Sequence, residues 1–185
     1  MKNRFPVLVP LIGLVILTAG CASPARIERM AVIQQPSQRL TDASLRENIA
    51  VKDITGGQET NPAWKSEIGT PEFKQALESS LRTAGLLAQG QDGAYMLTTH
   101  LESVDQPIFG LNMTVTATVS YMVTERATGK EVFSKKITIP YTAKFGDALM
   151  GVERLRLANE GAARVNIAQL IDDLFRLRIK NVSMN

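Results

Sequence analysis

The chain has 185 residues, of which 44% are hydrophobic and 21% charged, a composition typical of one globular domain with a core of its own. Its formal net charge is +3, and without Lys2 and Arg4, which lie in a segment that we expect to be removed, 19 basic residues face 18 acidic ones. This excess is too small for a nucleic-acid-binding surface. One cysteine and one histidine exclude an intrachain disulfide and a conventional zinc site, so we expect no metal and no cofactor.

Residues 1–20 have the pattern of an export signal. Two positive charges precede an apolar run from Phe5 to Leu17, and three small residues, 18–20, lead directly to Cys21. The apolar run is shorter than the roughly 20 residues that a membrane-spanning helix needs. We therefore predict a signal peptide over 1–20 that is cleaved before Cys21.

The stretch Leu17-Thr-Ala-Gly-Cys21 resembles the bacterial lipobox. The resemblance implies that Cys21 is the lipidation site, acylated on its sulfur and on its new amine, with palmitate among the expected acyl chains. The acyl chains would then anchor the protein to a membrane. Ala22 stands where an aspartate would retain the protein at the inner membrane, which implies the periplasmic face of the outer membrane of a Gram-negative envelope. The alternative is an unmodified cysteine behind an ordinary cleavage site.

The next segment, 21–45, is mixed in composition, and we interpret it as the lipidated N-terminus and a tether to the domain. Within it, 27–33 is apolar enough to add a short strand. The sequence does not decide between coil and strand there. We expect a single periplasmic domain over 46–180.

The domain begins with a half-buried strand over 48–54, followed by a loop over 55–69. This loop is long for a connection between a strand and a helix, and it carries the only tryptophan, Trp64. We single out Trp64 as a candidate anchor for a protein partner, with Gly56 and Gly57 giving the backbone freedom to present it. The alternative is that Trp64 folds back as a lid on the core.

A helix should start at Thr70, whose hydroxyl would cap it, with Pro71 at the first helical position. Its apolar face repeats at helical spacing and ends before Gly85. A second strand follows over 95–104. Residues predicted on the inner face of this helix are Phe73, Ala76, Leu77, Leu81 and Ala84.

The clearest pattern is the strict alternation over 113–124, which predicts a strand with one buried and one solvated face. A hairpin turn over 126–130 connects it to a fourth strand that we extend to Phe145. A last helix is predicted over 152–177. Its inner stripe comprises Leu155, Ala162, Ile167, Leu170 and Leu174.

The order β-α-β-β-β-α predicts an α+β two-layer sandwich, in which a mainly antiparallel sheet carries both helices on one face. Together with the lipobox, the Gly129-Lys130 hairpin and the alanine-rich last helix, this layout resembles small periplasmic lipoproteins of the YajG type. It is more distantly similar to the lipopolysaccharide-assembly lipoprotein LptE and to TolB-like domains. The resemblance implies fold and location more than activity.

No arrangement of catalytic residues is evident. The single histidine, His100, falls in the middle of a strand, and the single cysteine is expected to carry lipid. We therefore expect a protein that is not an enzyme: a lipoprotein that binds an envelope protein as an adaptor or assembly factor in envelope biogenesis or maintenance. The alternative is a lipoprotein that binds a lipid or glycan. An enclosed apolar cavity would favour the alternative, and a closed core with an exposed edge or aromatic patch would favour the adaptor.

Overall fold

The computed structural model describes residues 22–33, 43–61, 65–90 and 92–179. The predicted lipidation site and signal peptide lie outside these ranges. The helices are α1 (Ile27–Met30), α2 (Thr70–Thr83) and α3 (Gly151–Arg176). The strands are β1 (Ile49–Thr55), β2 (Tyr95–Asp105), β3 (Met113–Glu125) and β4 (Glu131–Ala143).

The four strands form one sheet in the order β1-β2-β3-β4. β1 is parallel to β2, and α2 provides the crossover between them, whereas β2-β3 and β3-β4 are antiparallel pairs. The predicted α+β class, the mainly antiparallel sheet and the order β-α-β-β-β-α are confirmed. A short helix, α1, precedes them.

Both long helices pack on the same face of the sheet. The main hydrophobic core includes Leu77 of α2, Leu170 of α3 and Val119 of β3, each with no exposed surface. The predicted alternation in β3 is confirmed, because Met113, Val115, Ala117, Val119, Tyr121 and Val123 are all buried. The helix α3 approaches β4 closely at Gly161, where an added Cβ would lie 2.1 Å from the ring of Tyr141.

The start of α2 differs from the prediction by one residue. The helix begins at Thr70 with Gly69 as its N-cap, and no side chain caps it. The hydroxyl of Thr70 instead accepts a hydrogen bond of 3.1 Å from the backbone N–H of Gly57. Thr70 therefore fastens the preceding loop to the helix. The predicted inner face is confirmed for Phe73, Ala76, Leu77 and Leu81, whereas Ala84 lies beyond the helix and is half-buried.

The prediction that the fourth strand continues to Phe145 is wrong. β4 ends at Ala143, and Phe145 begins a short 3-10 helix in which its side chain is 49% exposed. The backbone N–H of Phe145 donates to Asn112 Oδ1 at 3.0 Å. This contact turns the chain away from the sheet before α3 begins. The predicted inner stripe of α3 is buried throughout.

Residues 22–33, part of the segment interpreted as a tether, lie against the rest of the domain and have no regular secondary structure outside α1. They contain the helix α1, where a strand was the alternative, and this helix packs against α2 and α3. Met30 has no exposed surface and belongs to the main core. Residues 34–42 lie outside the described ranges.

Candidate functional site

The segment 22–33 runs from the start of α3 towards the end of α2 and is hydrogen-bonded along its length. Ser66 Oγ donates to the carbonyl of Ser23 at 2.7 Å, and the N–H of Ala25 donates to the carbonyl of Glu67 at 3.2 Å. Further along, the N–H of Val32 donates to Ser80 Oγ at 2.9 Å. Ala22, the first residue after the predicted lipidation site, is therefore followed directly by residues that are hydrogen-bonded to the rest of the domain.

A buried carboxylate on α3 holds this segment. Glu160 is 1% exposed, and its Oε1 accepts hydrogen bonds from the backbone N–H of Arg26 at 3.0 Å and from Arg26 Nε at 3.1 Å. Arg156 Nε lies 3.8 Å from the same oxygen. Because a buried charge without a partner is strongly destabilising, Glu160 favours the conformation in which Arg26 is docked.

A second set of polar side chains joins three distant parts of the chain. Asn159 has no exposed surface, and its Nδ2 donates to the carbonyl of Ser66 at 2.7 Å. Gln106 Nε2 lies 3.0 Å from Asn159 Oδ1 and 2.8 Å from Glu67 Oε2. The loop before α2, the end of β2 and α3 are therefore fixed to one another. We call the two sets together the N-terminal clamp: Arg26, Ser66, Glu67, Gln106, Asn159 and Glu160.

Sequence reasoning did not find the clamp. Arg26 and Glu160 are separated by 134 positions, and Asn159 and Ser66 by 93. A polar residue on the inner side of a helix was the one available signal, since Asn159-Glu160 interrupts the alanine-rich stretch of α3. That signal indicates a buried polar contact without identifying its partner.

The described residues of the loop 55–69 are hydrogen-bonded to one another. Asn61 and Lys65 exchange two backbone hydrogen bonds of 3.0 and 3.1 Å, and the N–H of Gln58 donates to the carbonyl of Ile68 at 3.1 Å. Glu67 N–H also donates to Thr60 Oγ1 at 2.9 Å. The loop is therefore stabilised by its own hydrogen bonds. Trp64 lies outside the described residues, and its role as an anchor or a lid stays a prediction.

The two glycines of this loop are placed by close packing. Gly56 has φ +89°, and an added Cβ would lie 2.0 Å from the carbonyl oxygen of Leu101. At Gly57 an added Cβ would lie 2.4 Å from the backbone nitrogen of Thr70. Both positions require glycine because the backbone passes so near its neighbours. Their part in presenting Trp64 stays a prediction.

Two open grooves are present on the described surface. One, of about 440 Å³, lies between Ala22, the loop residues 57–60 and the start of α2 at 69–72. The other, of about 480 Å³, lies on the face of the sheet away from the helices, among residues that include His100, Ser120 and Lys136. Both grooves are open to solvent.

The chemistry of the sheet groove is that of a solvated surface. Lys136 Nζ and Ser120 Oγ both contact the carboxylate of Glu102, and these hydrogen bonds, that of Lys136 first, hold the pKa of Glu102 below its usual range. His100 Nδ1 lies 2.8 Å from Thr55 Oγ1 at the surface. Within the described ranges, no cluster of acidic, histidine or cysteine side chains could hold a metal ion. Of the helices described, none is long and apolar enough to cross a membrane.

Comparison with solved structures identifies similar folds at low sequence identity. Protein XCC0632 from Xanthomonas campestris is 12% identical, with 79% of this chain and 96% of that chain covered and a TM-score of 0.55. The minor lipoprotein from Acinetobacter baumannii is 8% identical, with 71% and 94% covered and a TM-score of 0.47. Lipoprotein GNA1162 from Neisseria meningitidis is 11% identical, with 70% and 98% covered and a TM-score of 0.43.

No protein-family model matches the sequence, and no curated protein matches it significantly. At these identities the similarity concerns the fold alone.

Proposed function

We propose that this protein is a lipid-anchored periplasmic lipoprotein of the outer membrane that acts without catalysis, as an adaptor or assembly factor in the cell envelope. The observation that carries the proposal is the docked segment 22–33, which begins directly after the only cysteine in the chain. A single thiol at the end of an apolar leader is best explained by lipidation. The similar fold of proteins named lipoproteins agrees with it.

The docked segment determines what an acylated Cys21 would do. Ala22 is 7% exposed, and Ser23 and Arg26 contact the loop before α2 and the helix α3. Acyl chains on the preceding residue would therefore emerge at the surface of the domain, without an intervening flexible tether. The domain would be held against the membrane in a limited range of orientations, as suits a protein that positions a partner at the bilayer.

Mass spectrometry of the N-terminal peptide of the native protein tests the anchor. We expect a peptide that begins at Cys21 and carries acyl chains, and Cys21→Ser should yield an unprocessed or soluble periplasmic form. The matched control is Ser23→Ala, which keeps the cysteine and should stay in the membrane fraction. An unmodified thiol at Cys21 would refute the anchor.

The choice of membrane rests on Ala22 and has its own test. Ala22→Asp introduces the retention residue and should move the protein from the outer to the inner membrane in a density-gradient separation. Ala22→Ser, which is also small, is the control and should stay in the outer membrane. If wild type and Ala22→Asp sediment together, the outer-membrane assignment is wrong.

The adaptor role requires a surface for a partner protein. The free edge of β4 is poorly suited to strand addition, because Lys135 and Lys136 carry charge there and Pro140 lacks a backbone N–H. The loop 55–69 remains the candidate, with its described residues fixed by the clamp. Crosslinking in cells from Gln58 and from the control position Ala127 should capture a partner at the first position alone.

Trp64 can be tested separately, because its fluorescence is the only tryptophan signal in the chain. Emission at long wavelength with ready quenching by iodide would support a docking role, together with loss of crosslinks in Trp64→Ala at an unchanged melting temperature. Emission at short wavelength and a large loss of stability in Trp64→Ala would make it a lid on the core.

The alternative, a lipoprotein that holds a lipid or glycan against the sheet, is favoured by one observation. The groove on the open sheet face presents hydroxyl, imidazole and amino groups that suit sugar hydroxyls. Titration with envelope glycans while chemical shifts at Ser120 and Met122 are followed tests it. Shifts confined to the loop 55–69 on adding cell-envelope proteins would favour the adaptor.

A further inference from the structure

Large hydrophobic side chains are exposed at one end of the molecule. In the described ranges, six of the eight such side chains lie in two loops, 106–112 between β2 and β3 and 144–150 between β4 and α3. We call these six the apolar tip: Ile108 (96% exposed), Phe109 (85%), Leu111 (72%), Phe145 (49%), Leu149 (86%) and Met150 (44%). A soluble protein rarely leaves a cluster of this kind in water.

The buried side chain of Arg154 connects the two loops by hydrogen bonds. Arg154 is 5% exposed, and its Nη1 donates to the carbonyls of Ala148 and Leu149 at 2.7 and 2.8 Å. Its Nη2 donates to the carbonyl of Gly110 in the other loop at 3.4 Å, and its guanidinium lies 5.1 Å from the ring centroid of Phe145. The apolar side chains are therefore presented on a fixed framework. The apolar side chains do not turn inward, because backbone carbonyls of both loops are hydrogen-bonded to the buried Arg154.

The docked N-terminus emerges at the same end. α3 begins at Gly151, directly after the second loop, and Arg156 in its second turn donates to Ser23 Oγ at 3.3 Å. Gln106, the first residue of the other loop, belongs to the N-terminal clamp. Ala22, the residue that follows the predicted lipidation site, therefore lies at the end of the molecule that carries the apolar tip.

We propose that the apolar tip inserts into the bilayer leaflet that holds the lipid anchor, so that the domain stands on the membrane with its strands pointing towards it. The side chains of the apolar tip would lie at the boundary between lipid headgroups and acyl chains. This boundary is about 5–10 Å deep, a depth that protruding aromatic and aliphatic side chains reach. This inference rests on the proposed anchor at Cys21.

The two tip loops carry no net charge, which favours insertion of their apolar side chains over electrostatic attraction to lipid headgroups. Loop 106–112 carries no charged side chain, and in loop 144–150 the charge of Lys144 is balanced by that of Asp147. A neutral tip gains nothing from anionic lipids, so its burial should be insensitive to salt and should occur in zwitterionic bilayers. A protein partner is less suited to the six side chains of the apolar tip, because the anchor would keep these side chains within a short distance of the lipid.

The test uses the mature lipidated protein in vesicles of phosphatidylethanolamine and phosphatidylglycerol, and in pure phosphatidylcholine. An acylated Cys21 has no free thiol, so Leu111→Cys can be labelled singly with an environment-sensitive dye, with Ala127→Cys in the opposite hairpin as its matched control. We expect nitroxide on the lipid chains to quench the dye at 111 several times more than at 127, in both vesicle types and at high salt.

Three results would overturn the proposal. Acylated protein in which the dye at 111 is as accessible to water as at 127 would leave the anchor intact and remove the insertion. Protection of 111 from iodide without quenching by lipid would mean that a second copy of the chain covers the tip. Native protein that proves to carry no acyl chains on Cys21 and does not bind the vesicles would refute anchor and insertion together.

A further variant separates insertion from mere proximity. In the Leu111→Cys background, Ile108→Ser with Phe109→Ser removes the two most exposed side chains of their loop. Quenching at 111 should fall to the level seen at 127. Unchanged quenching would mean that the anchor alone holds this end near the lipid, and the apolar tip would have no part in it.

Discussion

At the scale of single residues, the position of α3 depends on one buried asparagine whose side-chain amide is hydrogen-bonded at both its nitrogen and its oxygen. Asn166 of α3 has no exposed surface, and its Nδ2 donates to the carbonyls of Ala117 and Ile137 at 3.0 Å each. Its Oδ1 accepts the hydroxyl proton of Tyr121 at 2.9 Å. Burial raises the pKa of Tyr121, so the phenol stays a donor over the whole physiological range. Asn166 thus fixes the position of α3 over β3 and β4.

Asn166→Leu should destabilise the domain by about 2–4 kcal/mol, because it leaves the buried hydroxyl of Tyr121 without its partner and removes two hydrogen bonds to buried carbonyls. Tyr121→Phe alone should cost less. The double variant should lose less stability than the two single losses added, by about 1 kcal/mol, since the orphaned hydroxyl is then absent. Urea unfolding of all four proteins provides the measurement. Additive losses would show that the two side chains are not coupled.

At the scale of elements, the long helices and strands follow from local pattern. Period two over β3 and the helical spacing in α2 and α3 predicted which faces are buried, because each element has one face against the core. The docked segment 22–33 could not be predicted this way. Its partners Glu160 and Ser66 are distant in sequence, and its helix is four residues long, too short to show a period.

The candidate site was predictable only in part. Cys21 was indicated by its place after the apolar run, and the loop 55–69 by its length. The clamp and the apolar tip depend on which loops the fold brings to one end. Phe145 shows the difficulty: its spacing fits the buried face of β4, yet the chain turns at Lys144 and exposes it.

The two faces of β3 can be tested with neighbouring residues. Val119 has no exposed surface and pairs with Ile137, whereas Thr118 is half-buried on the outer face and bonds Thr138 at 3.1 Å. Val119→Asp should unfold the domain or cost more than about 4 kcal/mol, because it buries a charge without a partner. Thr118→Asp should cost about 1 kcal/mol or less. Circular dichroism during thermal melting compares them, and equal losses would mean that the outer face is also covered.

At the scale of the whole molecule, Ala22, the clamp and the apolar tip lie at one end, and the hairpin 126–130 lies at the other. The strand β3 spans the two ends, and its 13 residues give a separation of about 40 Å. A domain that stands on the membrane would present its outer sheet face and its loops sideways to the periplasm. Folded chain in place of a tether would set both the distance and the orientation of any partner.

A fixed orientation of the domain on the membrane requires that residues 22–33 unfold together with the rest of the domain. Substitution of two apolar residues in this segment tests that requirement. Met30 has no exposed surface, whereas Ile33 is 76% exposed. Met30→Ala should destabilise the domain by about 2–5 kcal/mol, through lost burial and the cavity left between α2 and α3. Ile33→Ala should change the free energy of unfolding by about 0.5 kcal/mol or less.

Urea unfolding gives the two free energies, and hydrogen exchange at the N–H groups of Ala25, Arg26 and Val32 reports whether the segment opens separately. We expect these groups to exchange by the same opening as the core, because Ser80, Glu67 and Glu160 hold them. If Met30→Ala and Ile33→Ala are equally mild and the three groups exchange rapidly, the segment is a mobile tether. The anchor would then leave the orientation of the domain free, and the apolar tip would have no fixed relation to the membrane.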